Sequence, residues 1–234
     1  MSKKKYSLSA HTINLYLECP RCFWFHMVKG EGFKRPEGPT STLPRGMDNL
    51  IKEYFDSHRA AHTLPPEVSG IIEGELVEQD TIDRWRYWRT GLMFYDTDGS
   101  RLLGALDECV IESNVYVPVD YKTRGYALKE NSTSYYIFQM SCYNFLLHKN
   151  GHEVSDYAYL VFYIPHTIEA TGTVNFSVTV KKVKTFSHDK VYGIFRDAIE
   201  ILALPEAPPP ESKCNFCSWV GKVATQHGRQ LKLF

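Results

Sequence analysis

The chain has 234 residues, of which 43% are hydrophobic and 23% charged, with 27 Lys and Arg set against 27 Asp and Glu. That composition excludes a disordered or low-complexity chain and supplies enough apolar material for one large domain with its own core. A net charge of zero argues against a broad clamp for duplex nucleic acid, which leaves a basic excess, and fits a narrow groove for a single strand better.

No stretch approaches the ~20 apolar residues of a membrane span. The basic start MSKKKYSLS lacks the apolar segment of a secretory signal, so a cytoplasmic protein is expected. Charge is unevenly spread: Lys3 to Lys5 and Lys181, Lys182 and Lys184 cluster, while acids collect around residues 67–83. Those lysines read equally well as a solvated strand face.

In chain order, residues 9–28 read as an amphipathic helix with Ser7 or Ser9 as N-cap. Residues 31–44 are rich in Gly and Pro and predict a loop. Residues 47–59 carry apolar side chains at helical spacing, and Pro65-Pro66 ends that unit. The aromatic-rich stretch 71–95 shows no resolvable period. Residues 102–122, LLGALDECVIESNVYVPVDYK, form two apolar runs joined at Ser113-Asn114, the pattern of a β-hairpin.

Further on, residues 132–150 predict a helix capped by Gly151. Residues 156–164 and 173–183 read as strands. Ser187 is expected to cap a final helix through residue 204, and residues 205–210 make a stiff Pro-rich linker.

The hairpin carries the chemistry. Asp120 and Lys122 share one face of a strand because side chains alternate, and Asp107 can approach from the neighbouring strand. Two carboxylates and an ammonium meeting at a strand end suit a hard divalent cation. The bland alternative for Lys122 is a surface ion pair with Asp120, worth ~0–1 kcal/mol.

Of six cysteines, Cys109 and Cys142 lie in apolar runs and read as buried hydrophobes. The others form two C-x-x-C pairs, Cys19/Cys22 and Cys214/Cys217, at opposite ends of the chain. Together they suggest one four-thiolate metal site that staples the termini, for which zinc and an iron–sulfur cluster both qualify. Disulfides within each pair suit an oxidising compartment instead.

The ordered set of Gly104-Ala105-Leu106-Asp107, Asp120-Tyr121-Lys122 and Gln139-Met140-Ser141-Cys142-Tyr143, behind the opening SLSAHTINLYLECPRCF, resembles the RecB-like branch of the PD-(D/E)xK nuclease superfamily. The similarity spans about residues 7–219. It implies an α/β fold, a mixed central β-sheet flanked by helices in the manner of restriction endonucleases, within a single domain over residues 1–234. Residues 100–185 would be the catalytic core, and residues 1–30 and 205–220 would supply the cysteine site.

It implies a Mg²⁺- or Mn²⁺-dependent deoxyribonuclease, exonuclease more than endonuclease. DNA, single-stranded or at ends, would be its substrate in recombination, repair or CRISPR-type processing, with protein partners in such a complex. Asp107, Asp120 and the Tyr121 carbonyl would hold the ion, Lys122 would act on the phosphate or water, and Gln139 and Tyr143, four apart on one helix face, would position it.

The resemblance tilts Cys19, Cys22, Cys214 and Cys217 toward a [4Fe-4S] cluster over zinc. The family usually places one cysteine before the core and three after, whereas this chain divides them two and two. It also usually has a Gly-x-x-x-His metal ligand. Here Gly46 is followed by Leu50 at the histidine position, with Asp48 as a substitute ligand or merely a helix cap. Without the histidine, a non-catalytic subunit of a DNA-processing assembly is the alternative.

Overall fold

The computed structural model describes residues 4–36, 42–89 and 91–230. Its main sheet has five strands in the order β2 (Glu75–Leu76), β5 (Glu108–Glu112), β6 (Val115–Thr123), β7 (Tyr157–Ile168) and β8 (Val174–Lys184). β5 and β6 pair antiparallel, as do β7 and β8, while β6 and β7 run parallel. A parallel pair needs a crossover, and helix α5 (Ser134–Lys149) supplies it. A smaller sheet joins β1 (Ser7–Ser9), β4 (Arg101–Gly104) and β3 (Leu92–Tyr95). This is the mixed α/β architecture expected.

Alternation along β6 and β7 sorts the core into two layers. Val117, Val119, Tyr121, Tyr159, Val161 and Tyr163 pack with Ile51 and Phe55 of helix α3 (Thr42–Ala60). The intervening Ala158, Leu160 and Phe162 pack instead with Phe138, Leu146 and other residues of α5. Buried on nearly every side, α5 is apolar around its circumference, the composition of a core helix rather than a surface one. Asp120 and Lys122 belong to the α5 side of β6, so the site forms where a helix covers the sheet.

The hairpin turn falls at Ser113-Asn114, and both residues adopt left-handed φ, 49° and 66°. That geometry matches the twist of the strands but strains side chains bearing a Cβ. Replacing the pair by the Asn-Gly dipeptide that such turns favour, as the double substitution Ser113→Asn with Asn114→Gly, is expected to stabilise the fold by about 1 kcal/mol, read as a higher denaturation midpoint.

Three expectations are revised. The first apolar run of 102–122 is two strands in different sheets, because the chain turns at residues 105–107 between β4 and β5. The opening helix is broken: α1 (Ala10–Glu18) ends at Cys19, whose backbone is extended, before α2 (Pro20–Trp24) and a π-helical turn over Phe25–Lys29. Ser9 rather than Ser7 is the N-cap, in a reciprocal capping box with Thr12. Helix α6 (His188–Leu202), capped by Ser187 as expected, is not the last, since α7 (Asn215–Gln230) follows the Pro-rich linker.

In the 31–44 loop the helix α3 already starts at Thr42, and residues 37–41 lie outside those described. The 71–95 stretch holds β2, helix α4 (Gln79–Arg86) and β3, each too short to show a period.

Candidate active site and cysteine centre

Residue pairing in the hairpin brings the acidic groups together. Glu108 pairs with Val119, so Asp107, one step earlier, faces the level of Asp120 across the ladder. Asp120 is fully buried. Its Oδ1 accepts from Gln139 Nε2 at 3.2 Å, and the same amide nitrogen donates to Tyr143 Oη at 2.8 Å. Lys122 Nζ lies 2.6 Å from Asp120 Oδ2 and donates to Gln139 Oε1 at 3.4 Å. Thus Asp120, Lys122, Gln139 and Tyr143 form one connected set, with the two α5 residues stacked by their four-residue spacing.

Burial pushes the Asp120 carboxyl up to about 7. The Lys122 ammonium opposes that rise and the neighbouring Asp107 carboxylate adds to it. For Lys122 burial works against the charge, but Asp120 and then Asp107 outweigh it and hold the ammonium above its ordinary range. Tyr143 is raised too, by burial first and the two carboxylates next. Asp120 Oδ2 is ion-paired with the Lys122 ammonium, so a cation bound there would share that oxygen with Lys122 or displace it. Two neighbouring carboxylates, Asp120 and Asp107, form an oxygen donor set that fits a small divalent cation.

Tyr121 points the other way. Its ring packs on Phe55 at 4.6 Å between centroids, and its hydroxyl donates to Glu108 Oε2 at 3.0 Å, so only its backbone is free to serve the site. Tyr126, beyond the end of β6, is 82% exposed.

Two features escaped the sequence. The first is Lys52, whose Nζ sits 2.8 Å from Asp48 Oδ2 and 2.9 Å from Asp107 Oδ1. Asp48 therefore reaches Asp107 through an ammonium. Leu50, at the histidine position of the resemblance, is largely exposed. The spacing Asp48-x-x-x-Lys52 was visible but reads as an ordinary surface i,i+4 pair. Removing a positive charge beside Asp107 strengthens cation binding, so Lys52→Ala is expected to lower the half-saturating Mn²⁺ concentration severalfold in a titration. An unchanged or higher value would exclude Lys52 from the site.

The second is a buried ionic network behind the strands. Glu108, fully buried, takes hydrogen bonds from Arg59, from Arg86 Nη2 at 3.2 Å and from Tyr121. Arg86 also grips Asp56 with Nη1, at 2.9 and 2.8 Å, and the Asp107 carbonyl with Nε, at 2.9 Å. The network thereby fixes the backbone that carries Asp107. Glu108→Ala leaves the Arg59 and Arg86 guanidiniums with Asp56 and the more distant Asp83, and a loss of about 3 kcal/mol is expected on chemical denaturation.

The four cysteines of the two C-x-x-C pairs meet. Their sulfurs all lie within 4.8 Å of one another, with Cys22 3.3 Å from Cys217 and 3.8 Å from Cys214, and Cys19 3.8 Å from Cys217. The break at Cys19 turns that thiol toward the C-terminal pair. Among the described residues this is the one cluster of three or more metal-ligating side chains this close. Arg35 Nη2 donates to Cys214 Sγ at 3.3 Å, and so does the Cys217 amide at 3.4 Å, partners suited to thiolate charge. The centre can hold a metal.

Comparison with family models matches residues 39–221 to the PD-(D/E)XK nuclease superfamily. The chain belongs to that superfamily and has the mixed α/β fold of a metal-dependent nuclease-like protein. No curated protein matches the chain. Among the described residues no helix is long and apolar enough to cross a membrane.

Proposed function

We propose that this chain is a Mg²⁺- or Mn²⁺-dependent deoxyribonuclease of the RecB-like branch, hydrolysing phosphodiester bonds of single-stranded DNA or DNA ends, as an exonuclease. The observation that carries the reading is the connected set of Asp120, Lys122, Gln139 and Tyr143 around one buried carboxylate, with the Asp107 carboxylate beside it. Asp107, Asp120 and the Tyr121 carbonyl would hold the ion. A divalent ion there supplies Lewis acidity toward the phosphate and a more acidic water.

The protein does the rest. Lys122, kept charged by Asp120, meets the negative charge that grows on the phosphate. Gln139 bridges Lys122, Asp120 and Tyr143, so the rotamers of all three are fixed before substrate arrives. Asp48 is held as an outer acid that reaches the site through Lys52.

For the cysteine centre the geometry favours zinc over a [4Fe-4S] cluster. Four thiolates at about 2.3 Å from one shared ion lie about 3.8 Å apart at tetrahedral angles. The sulfur separations, 3.3 Å at the shortest and none beyond 4.8 Å, lie around that edge. A cubane spreads its thiolates over four irons at its outer corners, which sets them farther apart. The two-and-two division of the cysteines points the same way.

Service in recombination, repair or CRISPR-type processing with protein partners follows from the branch resemblance. The second reading, a non-catalytic DNA-binding subunit, draws on Leu50 in the histidine position and on the Lys52 ammonium seated at Asp107. Incubating labelled single-stranded and duplex DNA with Mn²⁺ decides between them. The nuclease reading predicts metal-dependent shortening of the single strand. Binding without any cleavage selects the subunit.

A further inference from the structure

We propose that the cavity beside Gln139 and Tyr143 seats one unpaired nucleotide of the substrate, its base stacked on Trp88. The inference rests on the nuclease reading and specifies the form of substrate that the same site takes.

The cavity has a volume of about 380 Å³ and is walled by Gln139 and Tyr143, by Trp88, by the Gly104-Ala105 end of β4 and by the first turns of α1. Ligand pockets run from about 300 to 1,000 Å³, so this one is of a size for a small group such as a single nucleotide. Gln139 donates to Asp120 and to the Tyr143 hydroxyl. Anything seated there lies one side chain away from the carboxylates. Gly104 also belongs to this wall because a Cβ on it would fall 2.7 Å from Leu146 and 3.3 Å from the Tyr143 ring.

Trp88 is 55% exposed, while Trp85, one turn earlier, is buried. Single exposed aromatics are ordinary on a protein surface. Trp88 differs by lining a cavity that opens onto catalytic-set residues, and by carrying the Arg89 guanidinium 4.8 Å from its ring centre. An indole with a neighbouring cation suits a base and its phosphate. His11 and Asn14 offer polar atoms that no hydrogen bond occupies among the described residues. Stacking requires an open base face, which a duplex interior does not present. Affinity carried by an aromatic instead of a lysine array also agrees with a chain of zero net charge.

The test measures binding of a labelled single-stranded oligonucleotide, and of its duplex, to the full chain with Ca²⁺ in place of Mn²⁺, followed by cleavage with Mn²⁺. Trp88→Ala is expected to weaken single-strand binding roughly 5- to 150-fold, the range for loss of one stacked base, and Trp88→Phe to restore most of it. Duplex affinity should change far less, and in cleavage KM should rise by more than kcat falls. Single-strand affinity equal to wild type in Trp88→Ala, or equal losses for strand and duplex, overturns the seat. Trp88-dependent binding in a wild-type protein that cleaves nothing keeps the seat and removes the nuclease reading.

Discussion

Asp120→Asn is expected to abolish metal-dependent cleavage, by on the order of a thousandfold or more, while the protein stays folded. A cation's stabilisation of transition-state charge amounts to several kcal/mol, and each 1.36 kcal/mol is a factor of ten in rate. Asparagine keeps the shape and can still meet Gln139, so circular dichroism and the unfolding midpoint should change little. The carboxylate is costly where it sits: it is fully buried and its acid form is favoured by that burial. A residue kept ionisable at a site that disfavours its charge is retained for activity rather than stability. Full cleavage by this variant would remove Asp120 from the mechanism.

Cys22→Ser carries the second large effect, on stability and metal content. Cys22 is the sulfur nearest Cys217 and also touches Cys214, so its loss opens the centre. None of the described side chains of α7 is fully buried, which leaves Cys214 at its start and the shared centre as the main hold on that helix. Zinc-finger peptides draw about 10–16 kcal/mol from their metal. Here Tyr6, Trp24 and the α1 core still anchor the N-terminal segment through Leu202, Leu204 and α5. A smaller loss, on the order of 5 kcal/mol, is expected, with loss of bound metal on elemental analysis. Wild-type protein should be colourless with one zinc per chain. Iron with broad visible absorption after anaerobic purification contradicts the zinc assignment.

The fold was legible where local signals agree with the tertiary structure. The Ser113-Asn114 turn, the alternation through Val117, Val119 and Tyr121, the Gly151 cap after α5 and the Ser187 cap before α6 all lie where pattern places them. The candidate-site pattern was readable because period-two strands and four-residue helix spacing put Asp120 with Lys122 and Gln139 with Tyr143. The C-x-x-C pairs announced a shared centre at any distance in sequence.

What escaped has a common cause. Lys52, Glu108, Arg59 and Arg86 act through contacts between elements far apart in the chain, and a charged side chain buried by its partners looks in sequence like one on the surface. The break at Cys19 did carry a local signature, since Pro20 drives the residue before it into extended backbone, but the meeting of the four sulfurs that it serves is a contact between the chain's two ends.

The central claim is that Asp107 and Asp120 hold one divalent ion between them with the Tyr121 carbonyl. Anomalous diffraction from crystals grown with Mn²⁺ tests it most directly. The account predicts a peak in contact with both carboxylates and adjacent to Lys122, absent in Asp120→Asn. A Mn²⁺-saturated crystal with no peak there, or with the ion held elsewhere, contradicts it.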